Sequence, residues 1–163
     1  MQPSERPAPS GDGPLPTRAA PSTRTVLGVT LVAVAVSVVH YTDNYVNYGA
    51  YPQSESSPEP ARWLVGVPWF VFTAVAALAL RSHRRGAHAL AAVSLDVYSL
   101  SGLIGLGHYT VPGATEMVWW RQAHVLADIV LGAVVLVLAV AVWRSRGRLS
   151  ATPAGEAARP SPS

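Results

Sequence analysis

The chain has 163 residues, of which half are apolar and 13% are charged; all twelve of its basic residues are arginine, and it contains no cysteine. That length holds one domain, and the missing cysteine excludes disulfides, thiolate catalysis, cysteine-ligated zinc and lipid attachment through Cys. The formal net charge of +3 is not a nucleic-acid footprint, because neither tail interleaves aromatics with its arginines; it reads as a topological signal with an attraction to anionic headgroups.

Residues 1–22 carry six prolines among Ser, Gly, Ala and scattered charges. Such a stretch cannot bury enough apolar area to offset its ordering entropy, so a disordered tail is predicted. The first apolar run, Thr25 to Thr42, gives 18 uncharged residues between Arg24 and Asp43. It is long enough to span a bilayer, where only helices satisfy their own backbone. No small-x-small cleavage site follows the run before His40, which predicts an uncleaved membrane helix. Tyr41, Tyr45, Tyr48 and Tyr51 then recur every three or four residues. Their spacing predicts that this helix continues about two turns further, with the tyrosines on one side as an interfacial belt, until Pro52 stops it.

The second run, Trp63 to Leu80, gives another 18 uncharged residues between Arg62 and Arg81, with Pro68 inside it. A kink is expected there. A short turn, Arg81-Ser82-His83-Arg84-Arg85, predicts a helical hairpin in which His83 and His88 face solvent or headgroups. Gly86 to Thr115 contains a single charge, Asp96, and places Ser94, Tyr98, Ser101, Gly105 and His108 on one helix face. Ser101 and Gly105 form a small-xxx-small pair suited to close helix packing. Gln122 to Trp143 again contains one charge, Asp128. From about residue 148 onward the Pro-rich composition of the N-terminal tail returns, and a second disordered tail is predicted.

The expected fold is therefore an all-α membrane protein, a four-transmembrane-helix bundle running up-down-up-down. Its domain covers residues 23–147, with spans at about 25–45, 62–81, 86–109 and 121–144 and a tail at each end. Ten arginines fall on one side of this arrangement, against Arg62 and Arg121 on the other. The bias predicts a multi-pass protein of the cell membrane with both termini cytoplasmic. The bilayer is its expected partner, nucleic acid is not, and homo- or hetero-oligomers through membrane helices are compatible with the small-residue pattern.

In this topology His40, Asp43, His108, His124 and Asp128 share the outer leaflet, with Glu116 near them. His40 and Asp43 are three apart, and His124 and Asp128 four apart, so each pair shares a helix face. Three neutral imidazoles with carboxylates behind them suit a divalent metal such as zinc. Two opposed histidines would suit haem, and a desolvated His/Asp group would suit proton handling. The same residues in a structural or accessory subunit would serve helix packing. No enzymatic motif such as H-E-x-x-H is present, and no catalytic residue is assigned. Asp96 falls near midplane about 18 Å below His108, and Thr73 is its expected intramembrane partner.

Overall fold

A computed structural model describes residues 20–52 and 62–150, the side chains of residues 147–150 excepted. Residues 1–19 and 151–163, which hold most of the two tails expected to be disordered, and the polar run at 53–61 lie outside the described residues. All the described regular structure is helical: α1 (Thr23–Val46), α2 (Trp63–Arg84), α3 (His88–Leu103) and α4 (Trp119–Ser150). All four apolar segments are long and apolar enough to cross a membrane, the third counting α3 with the 3-10 turn that follows it.

Local signals set the helix ends. Ser22 caps α1 by accepting a hydrogen bond from the Thr25 amide at 3.1 Å. At the far end of α2, Gly86 adopts φ +76°, the left-handed conformation that closes a helix without a Cβ penalty. Gly86 is the middle of the three residues, 85–87, that join α2 to α3. α2 itself continues through Pro68, where the missing amide hydrogen leaves the carbonyl of Leu64 without its usual helical donor.

Each helix packs on its neighbours in sequence, and α1 closes the ring against α4. The inward stripe of α1 is Val26, Thr30, Ala33, Ser37, His40, Asp43 and Asn44, at helical spacing of three or four. Val32 and Val39 of the same helix are more than half exposed, as are Phe70 and Val137 elsewhere. Small and polar residues thus line the inside while large apolar ones face out, the inverse of the distribution that water selects.

The tightest contact lies between α3 and α4. A Cβ at Gly102 would collide with the backbone carbonyl of Asp128, and one at Gly132 would stand 2.8 Å from the carbonyl oxygen of Ser99. These two glycines let the backbones meet. Below the level of Ser37 the core is mainly apolar, with Ala76, Ala79, Leu95, Val135 and Val142 at 1% exposure or less.

Three sequence expectations need correction. α1 ends at Val46, and a 3-10 turn at Tyr48–Ala50 reverses the chain, so the four tyrosines do not form one belt. Tyr45 stays exposed under the Arg62 guanidinium, while Tyr51 turns inward to 3% exposure because its hydroxyl finds a carboxylate there. The third span is not one α-helix: it tightens into 3-10 geometry over Ile104–Thr110. His83 is buried at 6% exposure with its ring 5.2 Å from that of His88, so the turn packs it against its neighbour instead of leaving it to solvent.

Gly102→Ala forces α3 and α4 apart and is expected to destabilise the protein by about 1–3 kcal/mol. Gly28→Ala, where nothing lies within 4 Å of the added carbon, serves as the control and should be neutral or slightly stabilising. Thermal unfolding in detergent distinguishes the two.

Candidate functional site

The end of the bundle where α1 finishes and α4 begins carries a buried polar cluster. α1 delivers His40 and, one turn on, Asp43 and Asn44; α4 delivers Arg121, His124 and Asp128 at steps of three and four. His108 enters from the 3-10 turn after α3, and Tyr51 from the reversal after α1.

Asp43 is the most heavily bonded group. It accepts from Arg121 Nε at 2.8 Å, from the Tyr51 hydroxyl at 2.7 Å and from Asn47 Nδ2 at 2.7 Å. Arg121 is only 7% exposed, its guanidinium lies 5.0 Å from the Tyr51 ring centre and 4.9 Å from that of Trp120, and its Nη1 donates to the Ala50 carbonyl. A buried carboxylate is tolerable only when paired and hydrogen-bonded, and this one is both. Burial, with the Asp43 carboxylate beside it, pushes the Tyr51 phenol well above its ordinary value, so Tyr51 stays protonated and donates.

The second carboxylate, Asp128, meets His40. Its Oδ2 lies 2.7 Å from His40 Nδ1, and both side chains are almost wholly buried. When Nδ1 donates to the Asp128 carboxylate, Nε2 is the ring's remaining polar atom, an acceptor in the neutral ring and a donor in the protonated one. That Nε2 is buried and has no hydrogen-bond partner among the described residues. The His40 ring centre stands 5.7 Å from that of His108 and 5.6 Å from that of His124. His124 Nε2 approaches Asp43 Oδ2 at 3.4 Å, near enough for an ion pair when the ring is protonated, yet neither of its nitrogens makes a hydrogen bond. His108 Nε2 is already occupied, accepting from the Asn44 amide at 3.2 Å. Tyr51 packs on the other side of that ring at 4.9 Å.

All five residues expected to converge, His40, Asp43, His108, His124 and Asp128, belong to this cluster, but their pairing differs from the sequence expectation. His40 bonds Asp128 and His124 lies by Asp43, each across helices instead of along one. The open zinc position built from three free imidazoles is not formed. No group of three His, Asp or Glu with the disposition of metal ligands occurs among the described residues, and the His108 nitrogen is engaged by Asn44. Glu116 is exposed on its turn and takes no part in the cluster.

The expected Asp96 and Thr73 pair is absent. Asp96 is exposed on α3, while Thr73 Oγ1 is buried on α2 with no hydrogen-bond partner. The two lie on neighbouring helices, but Asp96 faces outward from α3, which matching depth alone does not reveal. Arg121 and Tyr51 were not assigned to the cluster by sequence reasoning. One signal for Arg121 existed: it is one of two arginines on the side of the spans that is otherwise free of them.

No protein-family model matches the chain, and neither a curated protein nor a solved structure is significantly similar to it.

Asp43→Ala leaves Arg121 buried without its counter-charge and is expected to cost about 3–5 kcal/mol of stability. Tyr51→Phe, which removes one bond to a charged acceptor, costs about 1–3 kcal/mol. Because the folded state raises the Tyr51 phenol, its contribution is complete below the ordinary value of 10.0 and falls away as pH rises beyond it. Unfolding followed from neutral to strongly alkaline pH should show a loss of stability that Tyr51→Phe reduces.

Proposed function

We propose that this chain is a small integral membrane protein crossing the bilayer four times, up-down-up-down, with both termini cytoplasmic and the polar cluster on the outer face. The cluster is a binding centre for a small ligand that donates to, or coordinates, Nε2 of His40. The inside-out distribution of side chains and the four apolar helices support the bilayer assignment, and the arginine bias supports the orientation.

The observation that carries the binding reading is the buried, unpartnered Nε2 of His40, a ring whose Nδ1 is bonded to Asp128 and whose neighbours are the rings of His108 and His124. A buried polar atom left unbonded is a free-energy deficit that an incoming group removes. The neighbouring His124, with both nitrogens unbonded, is the second contact. A hydrogen-bond-donating molecule fits this pair directly. A divalent ion such as zinc is a second occupant: two imidazoles with carboxylates behind them supply part of a coordination shell, and exogenous ligands complete it. The mainly apolar core beyond Ser37 makes the centre one-sided, which favours binding over passage through the bundle.

A competing reading, an accessory subunit whose polar groups only lock helices together, draws support from Asp43, whose bonds to Arg121, Tyr51 and Asn47 are all internal. His124→Ala separates the two. Since His124 makes no hydrogen bond, its loss should leave the unfolding temperature nearly unchanged while abolishing ligand or metal uptake. Asp128→Asn should weaken uptake by about 10–100-fold through the misoriented His40. Metal content, the Soret region and calorimetric titration of detergent-purified protein provide the measurement. Equal stability loss by His124→Ala with and without ligand, and no uptake by wild type, would favour the accessory role. Reporters fused after Gly86 and at the C-terminus should report cytoplasm, and one within residues 53–59 the exterior; the reverse result would turn the cluster inward.

A further inference from the structure

The turn from α2 into α3 gathers three arginines at the end of the bundle opposite the polar cluster. Arg81 and Arg84 lie in the last turn of α2, Arg85 caps it, and all three are exposed. Their steps of three and four place the guanidiniums on one side of the helix. The turn is fixed by the paired bonds of a Schellman cap: the Gly86 amide donates to the His83 carbonyl at 3.1 Å and the Ala87 amide to the Ser82 carbonyl at 2.9 Å. None of the three side chains makes a hydrogen bond, ion pair or ring contact with a described residue, whereas Arg146 of α4 lies over Trp143 and donates to its carbonyl. The three border a recess of about 440 Å³ whose other walls are Ala77 and Leu80. Ala77 precedes Arg81 by about one turn, roughly 6 Å deeper in the span.

We infer that this recess binds an anionic phospholipid, its phosphate held by Arg81, Arg84 and Arg85 and the first carbons of its chains lying on Ala77 and Leu80. The inference rests on the membrane reading above. Orientation accounts for the sign of charge at this end, but not for three unpaired guanidiniums gathered about one recess. Charge complementarity selects the occupant. Like charges one turn apart on a helix repel, and the described residues of this end supply no carboxylate to relieve them. Arg24, Arg144 and Arg146 are its other charged groups, and the first acid after the turn, Asp96, stands eight residues into α3, about 12 Å along its axis. The counter-charge is therefore external to the helices. Guanidiniums present paired N–H donors that match phosphate oxygens, and basic pockets at the cytoplasmic ends of membrane helices suit such headgroups. The apolar walls favour a lipid over free phosphate, since a soluble anion gains nothing from Ala77 and Leu80. A choline headgroup is disfavoured because its ammonium would stand beside three like charges.

Native mass spectrometry of the full chain in detergent, titrated with phosphatidylglycerol, provides the test. One lipid should bind per chain, about tenfold more tightly than phosphatidylcholine with the same acyl chains. Glycerophosphoglycerol, the headgroup without its chains, should not compete at equal concentration. Arg81→Lys, Arg84→Lys and Arg85→Lys combined keep the charge and the topological signal but lose the paired donors, and should weaken binding about tenfold. Arg84→Gln alone should weaken it too, which keeps the test decisive if the combined variant does not fold. Arg144→Lys, on α4 and outside the recess, should bind as wild type does. Absence of a phosphatidylglycerol adduct, or equal affinity for the two lipids, overturns the proposal. A combined lysine variant that binds unchanged also overturns it, since diffuse attraction then suffices, and so does an equal loss in Arg144→Lys. Competition by glycerophosphoglycerol overturns the lipid assignment in favour of a soluble phosphate. Binding in detergent does not depend on which side of a membrane the turn occupies, so failure of the membrane reading is registered separately, by the reporter fusions and by partition of the chain into the membrane fraction.

Discussion

A carboxylate buried in an apolar bundle must have every lone pair answered, and Asp43 meets that demand by drawing three parts of the chain to one point. Asn47 comes from the turn that ends α1, Tyr51 from the reversal beyond it, and Arg121 from the first turns of α4. Each donor is held by the need of the acceptor, and the acceptor is tolerated only because of the donors. Tyr51 is thereby fixed against His108, and α4 is fixed in a register that places His124 and Asp128 beside His40. The geometry of the histidine group follows from this clamp.

A second constraint acts on α3 and α4. Gly102 and Gly132 allow backbone contact, which draws the α4 turn carrying Asp128 inward and leaves its carboxylate 2% exposed and aimed at α1. The two carboxylates then behave differently. Asp43 is saturated by partners within the chain; Asp128 spends its contact on His40 Nδ1 and so transfers the unmet bonding capacity to Nε2 of the same ring. Internal saturation and open bonding capacity are thus divided between the two acidic residues.

The helices were legible in the sequence because apolar runs of 18 or more residues with at most one charge have few other uses in a chain of this size. The convergence of His40, His108 and His124 was legible too, since depth along a helix follows from counting residues. The pairing was not. Helical spacing suggested His40 with Asp43 and His124 with Asp128, whereas the structure pairs across α1 and α4, because rotation of each helix about its own axis is set by packing that no local pattern encodes. Tyr51 escaped for a similar reason: its periodicity with Tyr41 and Tyr45 continues only while the helix does, and α1 ends at Val46. Asp96 and Thr73 matched in depth and failed in azimuth. Arg121 could have been noticed as a cation on the arginine-poor side, but its role depends on Asp43, 78 residues earlier.

Among the described residues of the polar end, Nε2 of His40 and both nitrogens of His124 lack a hydrogen-bond partner while Nδ1 of His40 and Nε2 of His108 are bonded, and the binding proposal rests on Nε2 of His40. Nitrogen NMR of histidine-labelled protein in lipid nanodiscs, assigned with single His variants, reads the state of each ring directly. The account predicts His40 as the Nδ1-protonated tautomer with a bare Nε2 whose resonance moves when zinc or a small hydrogen-bond donor is added, while His108 Nε2, held by Asn44, stays in place. A His40 ring protonated on Nε2, or one whose Nε2 is indifferent to every added ligand, would contradict it.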